Sequence, residues 1–281
     1  SLSYQGNANF NGSDSLTVLS SDSSGTPLTD TDTVAITVTA IDDTPINTVP
    51  GAQSVNEDTA LTISGLSVSD ADGNLATTQL TVISGTLNVT LSGGASISAG
   101  ANGSNTLTLS GTQTDINATL STVSYQGNAH FNGSDTLTVL STDSAGTPLY
   151  DSDAVAITVT AVDDAPINTV PGAQTVNEDT AFTFIGLSVN DADGNLATTQ
   201  LSVSSGTLTV TLAGGASISA GANGSNTLTL SGSEAAINAA LASLSYQGNA
   251  NFNGSDSLTV LSSDSSGTPL TDTDTVAITV T

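Results

Sequence analysis

The sequence contains no lysine, arginine, cysteine or tryptophan, and it has a single histidine. With 26 acidic residues, its formal charge is −26. Nucleic acids and anionic lipid surfaces are bound mainly through Lys and Arg, so the composition excludes both as partners. The absence of cysteine excludes disulfides but does not exclude export from the cell. No run of 18 apolar residues occurs, so we expect no direct insertion into a membrane.

A large charge of one sign is typical of disordered chains, but the pattern of apolar residues indicates a folded one. Hydrophobic residues make up 37% of the chain and alternate with Thr and Ser, as in residues 87–91 and 155–159. Such alternation is the pattern of half-buried strands, and Asn-Gly, Gly-Gly and Gly-Thr-Pro turns separate these segments. Many short strands with few helices predict an all-β chain built as an antiparallel β-sandwich.

One helix is predicted in each repeat. Residues 112–121 begin with a capping pattern from Thr112 to Asp115, and the equivalent helix begins at Ser233. Asp115 and Glu234 fall in the first turn, where a negative charge suits the helix dipole. We therefore interpret these two acidic residues as structural.

The chain is a tandem repeat with a period of 121 residues, marked by Tyr4, Tyr125 and Tyr246. Residues 1–39 recur without change as residues 243–281. Because the chain starts and stops inside its own repeat, we expect it to be a window on a longer array. A period of this size indicates whole domains in series.

Domain boundaries are predicted where Asp-Asp occurs close to Pro, at residues 42–45 and 163–166. The prediction gives the C-terminal strands of a preceding repeat at residues 1–43. Two complete repeats follow at residues 44–164 and 165–281.

Most carboxylates occur as close pairs that recur with the repeat. The pairs in one repeat are Glu57/Asp58, Asp70/Asp72, Asp151/Asp153 and Asp163/Asp164. Neighbouring carboxylates repel unless a cation lies between them, and Ca²⁺ accepts six to eight oxygen ligands in flexible geometry. Zinc and copper prefer His or Cys, which this chain hardly offers. Residues 70–74 are not an EF-hand, because residue 81 is Thr where Glu is needed; the alternative is a plain Asp-Gly turn.

Four motifs in each period resemble, in order, those of cadherin-like repeats in giant bacterial surface adhesins secreted by the RTX, type I route. The motifs are the glutamate near the end of the first strand (55–58), the Asp-Ala-Asp segment (66–74), the last two strands (137–159) and the acidic linker (163–166). The resemblance implies tandem Greek-key β-sandwich domains of the cadherin or immunoglobulin-like class. It also implies bound Ca²⁺.

The resemblance further implies that Ca²⁺ lies where the glutamate of one repeat meets the linker and two loops of the next. For the second junction the implied ligands are Glu57, Asp163, Asp164, Asp191, Asp193 and Asp264. For the first junction they are Asp42, Asp43, Asp70, Asp72 and Asp143. Asp22 and Glu178 hold matching positions in the remaining parts of the chain.

Two departures from the family pattern affect this ligand set. The linker has Asp-Asp in place of an Asn-Asp-Asn run, and the mid-domain Asp-Arg-Glu motif is missing. Asp135 is the candidate substitute for that motif.

Catalysis is not expected. Glycosidase chemistry needs two carboxylates across a sugar-binding cleft, but every acidic pair here is repeated and aromatic residues make up only 3% of the chain. His130, which replaces Asn9 and Asn251, is interpreted as a loop residue. Tyr125 and Phe131 are interpreted as core anchors.

These observations predict a non-enzymatic, Ca²⁺-rigidified stalk in a long extracellular or cell-surface adhesin or biofilm matrix fibre. Its partners would be neighbouring repeats of the same chain. The alternative is that identical chains associate into a filament or surface layer, with Asp30/Asp32 and Asp151/Asp153 holding ions between chains. A carbohydrate-binding module is a third class.

Overall fold

The computed structural model describes residues 1–281 and consists almost entirely of strands. The chain divides into two compact units, Ser1–Ala161 and Val162–Thr281, so residues 1–43 fall in the first unit together with the first repeat. The domain boundaries at residues 43 and 164 stay a prediction from the sequence. No helix has the length and apolar character needed to cross a bilayer.

The first unit contains thirteen strands and one helix. They are β1 (Gly12–Ser21), β2 (Thr29–Val38), β3 (Ile46–Thr48), β4 (Gln53–Asn56), β5 (Leu61–Thr62), β6 (Ser67–Ser69), β7 (Leu75–Thr81), β8 (Gly85–Asn88), β9 (Ser96–Gly100), β10 (Thr106–Ser110), α1 (Gln113–Leu120), β11 (Ser124–Gly127), β12 (Gly133–Asp143) and β13 (Tyr150–Thr160).

The second unit repeats the order from β3 onward. Its elements are β14 (Ile167–Thr169), β15 (Gln174–Val176), β16 (Phe182–Thr183), β17 (Ser188–Asn190), β18 (Leu196–Ser202), β19 (Gly206–Thr209), β20 (Ser217–Gly221), β21 (Thr227–Ser231), α2 (Glu234–Leu241), β22 (Ser245–Gly248), β23 (Gly254–Asp264) and β24 (Thr271–Val280).

Each repeat is a sandwich of a large and a small sheet. In the first, a six-stranded sheet runs β4-β13-β12-β7-β10-β9 and a three-stranded sheet runs β5-β11-β8. The second has β15-β24-β23-β18-β21-β20 and β16-β22-β19. Short β3-β6 and β14-β17 pairs complete the two repeats. Non-consecutive strands are neighbours, as in a Greek key, which confirms the predicted fold class. The parallel pairs β4–β13 and β15–β24 are the exceptions to antiparallel order.

The core forms because apolar residues alternate along each strand. In β12, Leu137 and Val139 are 0% and 1% exposed, while the intervening Thr138 lies on the opposite face. They pack with residues of the small sheet, including Tyr125, which is 0% exposed. Tyr125 therefore anchors the core, as predicted, and Phe131 is partly buried and packs against that core.

The helices match the sequence prediction. Thr112 is the N-cap of α1, and its Oγ1 accepts a hydrogen bond from Asp115 N at 3.2 Å. Ser233 caps α2 in the same way. Asp115 and Glu234 lie in the first turns, as predicted.

A buried tyrosine–aspartate pair joins the two sheets of each repeat. Asp135 is 4% exposed, and its carboxylate accepts hydrogen bonds from Ile83 N (3.0 Å), Ser84 N (2.9 Å) and Tyr125 OH (3.0 Å). Burial, together with this hydrogen bond to Asp135, raises the pKa of Tyr125 above its ordinary value. Asp135 therefore has a structural role, because both of its oxygens accept hydrogen bonds from protein donors. Its role as a substitute ligand stays a prediction from the sequence.

The segment before residue 43 forms only the β1–β2 hairpin. Its sequence is identical to that of β23–β24, yet Val18 and Val34 are 45% and 52% exposed while Val260 and Val276 are each 1% exposed. The same residues thus build a core in one context and an open apolar face in the other.

Amide hydrogen exchange followed by NMR compares these identical sequences within one molecule. We expect the amides of β1–β2 to exchange faster than those of β23–β24 by a factor of at least about 100, because an isolated hairpin is marginally stable in water. Equal protection in the two hairpins would contradict the description of β1–β2.

The substitution Gly206→Ala tests how closely the backbone packs against the ring of Tyr246. A Cβ at this position would meet the ring of Tyr246 and lie 2.5 Å from Gln247 O. We expect Gly206→Ala to lower the free energy of unfolding by about 1–3 kcal/mol, measured with urea. Gly267→Ala is the matched control, because a Cβ added there would have no atom within 4 Å; equal effects of the two substitutions would refute the steric explanation.

Candidate metal centre

The loop after β6 is positioned by the helix. Asn117 clasps Val68, accepting from Val68 N and donating to Val68 O, both at 2.8 Å. Gln113 Oε1 accepts from Asp70 N at 2.8 Å. These bonds fix the backbone at the point where residues 70–74 begin.

Two oxygens in this loop are buried without a hydrogen-bond partner: Asp70 Oδ2 and Asn74 Oδ1. Asp70 is 8% exposed. Its other oxygen, Oδ1, accepts from Asp72 N at 3.0 Å and Asn74 N at 3.3 Å, which folds the loop around the carboxylate. A buried polar atom without a partner is costly, and such atoms are rare in folded proteins. The loop therefore presents two acceptor oxygens to a ligand that supplies positive charge.

The linker preceding β3 lies against the same loop. Asp43 N donates to Asp72 Oδ2 at 2.6 Å, and Asn74 Nδ2 donates to Asp42 Oδ1 at 2.9 Å. The structure thus brings four of the five residues predicted for this junction into one connected group, Asp43 through its backbone N–H and the other three through their carboxylates.

Asp143, the fifth, stands at the end of β12 and is 2% exposed. Its Oδ1 accepts from Ala145 N and Leu149 N, each at 3.1 Å. The next residue, Ser144, donates its backbone N–H to Asn74 O at 2.9 Å, which brings the Asp143 loop beside the Asp70 loop.

The second unit builds the same group independently. Asp191 Oδ2 and Asn195 Oδ1 are again buried without a partner, and Asp191 is 5% exposed. Asn195 Nδ2 donates to Asp163 Oδ1 at 2.9 Å, and Asp164 N donates to Asp193 Oδ2 at 2.6 Å. The recurrence in both repeats marks the arrangement as a property of the fold.

The electrostatics of this group favour a cation. Burial raises the pKa of Asp191, and the negative charges of Asp193 and Asp264 raise it further. For Asp264, burial acts in the same direction but is outweighed by hydrogen bonds from Ser266 and Leu270, which lower its pKa. The chain has no Lys or Arg to balance these charges.

The donors are all oxygens, from carboxylates and one amide. Such a set suits a hard cation, and Ca²⁺ tolerates irregular geometry better than Mg²⁺, which requires a near-ideal octahedron. The residues present therefore fit Ca²⁺.

Glu57 and Glu178 lie elsewhere in their own repeats. Glu57 N donates to Thr160 O and Glu178 N to Thr281 O, each at 2.9 Å, beside the end of the last strand. In the first repeat this is the opposite end of β13 from Asp143, roughly 30 Å away at the rise per residue of a strand. Their contribution to metal binding stays a prediction from the sequence.

Asp22 is not joined to the other predicted ligands. Its Oδ1 accepts from Ser24 N at 3.1 Å, Ser24 Oγ at 2.7 Å and Leu28 N at 3.2 Å, all within the turn of the β1–β2 hairpin. The side-chain bond from Ser24 contributes most to lowering the pKa of Asp22.

His130 lies in a loop, as predicted. It has a positive φ of 54°, and Asn9 and Asn251 at the matching positions have 57° and 56°. Asn and His are among the residues that tolerate this conformation best, which explains the exchange. Its backbone N–H donates to Asp58 Oδ1 at 3.1 Å.

Sequence reasoning missed Asn74 and Asn195 as candidate ligands. Both close the Asp-Ala-Asp-Gly-Asn segment, so a search for neutral oxygen donors next to the acidic pairs would have found them. The sequence prediction considered only carboxylates as ligands and therefore did not include these two amides.

The fold and site define a class: tandem β-sandwich repeats with an acidic, oxygen-only loop site at the start of each repeat. The chain belongs to the family of the Protein GAMETE EXPRESSED 2 domain, whose model matches residues 57–151 and 182–273, about two thirds of the sequence. Comparison with curated proteins gives no match.

Solved structures similar to the chain include cadherin extracellular domains. Protocadherin Gamma B2 domains 1–5 are 14% identical with a TM-score of 0.39, covering 96% of this chain and 46% of that one. Mouse Cadherin-23 EC22–24 is 20% identical with a TM-score of 0.35, covering 95% and 74%. Human Mucin-like Protocadherin EC1–2 is 16% identical with a TM-score of 0.32, covering 84% and 98%. The chain spans about half the length of the first of these.

The substitution Asp191→Asn tests whether the buried charge of Asp191 destabilises the folded protein when no metal is bound. In chelator at pH 7, we expect the free energy of unfolding of this variant, measured with urea, to exceed that of the wild type by on the order of 1 kcal/mol, because the unpaired charge is removed. The sign follows from the raised pKa, since an acid whose pKa is higher in the folded state destabilises that state once it ionises. Loss of stability in chelator would show that Asp191 has a partner without metal.

Proposed function

We propose that each repeat binds Ca²⁺ at the loop that begins with Asp70 or Asp191, and that the chain is a non-enzymatic spacer. The observation that supports the proposal is the pair of buried oxygens without partners, recurring in both repeats. A bound cation would give these oxygens the interaction that the protein does not supply.

The role of Ca²⁺ follows from the groups that surround the loop. Without a cation, Asp42, Asp43, Asp70 and Asp72 repel one another, although backbone and amide hydrogen bonds draw the linker toward the loop. With a cation, the same carboxylates are attracted to one centre. Ca²⁺ binding would therefore hold the linker against the repeat that follows it and stiffen the chain.

An extracellular location fits this mechanism, because extracellular Ca²⁺ modules typically bind at about 10⁻⁴–10⁻³ M. The motif order supports a more specific proposal, a stalk segment of a bacterial surface adhesin or biofilm matrix fibre. The matched family carries a different name, so the bacterial origin rests on the sequence resemblance alone.

Ion-mediated association between identical chains is the second hypothesis, and the structure weakens one of its supports. Asp151 Oδ2 accepts from Asn47 N at 2.7 Å inside its own repeat, and Asp272 Oδ2 accepts from Asn168 N at the same distance. These carboxylates already have a role within the fold. Association between chains is thus an outcome that the scattering experiment below distinguishes.

Calcium-dependent stability tests the site. At a Ca²⁺ concentration 100 times the dissociation constant, we expect the free energy of unfolding to rise by about 2.7 kcal/mol per site, measured with urea. Asp193→Asn should reduce this gain. Asp274→Asn removes the same charge from β24, where no hydrogen bond holds it to the loop, and should retain the gain. Equal responses of the two variants would place the bound Ca²⁺ elsewhere.

Small-angle scattering with Ca²⁺ and with chelator tests the spacer. A change in shape at constant mass, independent of protein concentration, is the expected result. Growth in mass would favour association between chains, and no response in either quantity would refute both hypotheses.

A further inference from the structure

A buried polar network lies directly behind the loop site in the first repeat. Asn47 is 7% exposed, and Ser141 and Thr78 are each 0% exposed. Ser141 Oγ donates to Asn47 Oδ1 at 2.6 Å, and the hydroxyls of Ser141 and Thr78 share a hydrogen bond of 3.0 Å.

Asn47 also holds its own strand to β13. Asn47 Nδ2 donates to Asp151 O at 2.9 Å and to Val139 O at 3.2 Å, while its backbone N–H donates to Asp151 Oδ2 at 2.7 Å. One asparagine side chain thus uses both donors and its acceptor, and nearly all of it is removed from water.

The segments that meet at Asn47 are those that carry the candidate ligands. Asn47 follows the linker that contains Asp43, and it pairs across β3–β6 with Val68, two residues before Asp70. Ser141 precedes Asp143 by two residues on β12. Asn47 is therefore the point where the three ligand-bearing segments are fixed to one another.

The second repeat preserves every member of the network. Ser262 Oγ donates to Asn168 Oδ1 at 2.6 Å and shares a 3.0 Å bond with Thr199 Oγ1. Asn168 Nδ2 donates to Asp272 O at 3.0 Å, and Asn168 N donates to Asp272 Oδ2 at 2.7 Å. The network therefore accompanies the loop site in both repeats.

We propose that Asn47 and Asn168 are positioning residues for the cation, with Asp151 and Asp272 as their supports. The inference rests on the proposed Ca²⁺ site and deepens it. Residues behind a metal site that orient its ligands commonly change affinity 10–100-fold when they are replaced. A network that only stabilised the fold would instead change the stability of the metal-free protein and leave the affinity of the folded protein unaltered.

A control comes from an amide that lies away from the ligands. Asn223 is exposed, but its amide clasps Val210 in the same way, accepting at 2.8 Å and donating at 2.9 Å, and it holds no ligand-bearing segment. Asn168→Ala and Asn223→Ala each remove one such amide from the second repeat. Only the first should alter the metal site.

The experiment uses the full chain with the first site disabled by Asp70→Asn. Ca²⁺ binding is measured by isothermal titration calorimetry, and the stability of each variant in chelator is measured with urea. We expect Asn168→Ala to weaken binding at least about tenfold. Asn223→Ala should lose stability in chelator but keep the affinity of the Asp70→Asn parent.

Each result has one reading. Equal affinities for Asn168→Ala, Asn223→Ala and the parent would overturn the positioning role while leaving the Ca²⁺ site intact. Absence of Ca²⁺ binding in the wild-type chain would instead refute the proposed function. If Asn168→Ala fails to fold in chelator, Ser262→Ala, which removes only the hydroxyl donor to Asn168 Oδ1, tests the same role through a smaller loss of affinity. Unchanged affinity in that variant would then overturn the inference.

Discussion

The constraint on which this structure depends is that a buried carboxylate has no basic side chain to pair with. The chain meets it in two ways. Asp135 and Asp256 are satisfied by backbone N–H groups and a tyrosine hydroxyl, and they fasten the two sheets together. Asp70 and Asp191 each keep one oxygen without a donor, at the loop where the linker arrives. The oxygen without a donor distinguishes Asp70 and Asp191 from the carboxylates whose two oxygens both accept hydrogen bonds from the protein.

Short polar side chains carry out the positioning that salt bridges perform in other proteins. Asn117 and Asn238 clasp the strands that lead into the loops, and Asn47 and Asn168 tie the start of each repeat to its large sheet. Amides can donate and accept at once, so each satisfies two backbone groups. A chain rich in Asn, Ser and Thr can therefore order an acidic loop without introducing a positive charge.

The duplicated sequence shows what local information does and does not specify. Residues 1–39 and 243–281 are identical, and both form the same two-stranded hairpin with the same register. Alternation of apolar residues and the Gly-Thr-Pro turn are enough for that. Burial of its apolar face is not encoded in the hairpin, because it requires the other strands of the sandwich. Identical residues thus differ in exposure according to their partners alone.

The sequence alone determined the all-β class, the repeat, the capped helices and the acidic pairs, because each is a local pattern of a few neighbouring residues. It also grouped Asp42, Asp43, Asp70, Asp72 and Asp143, but through a family resemblance and not through geometry. Only the tertiary structure decided which carboxylates keep an unpaired oxygen, that Asn74 and Asn195 stand beside them, that Asp22 stays within its own turn, and that Asp151 holds Asn47. Those outcomes depend on hydrogen-bond donors supplied by segments distant in sequence. The alternation of residues along a strand does not show which donor will contact a given carboxylate.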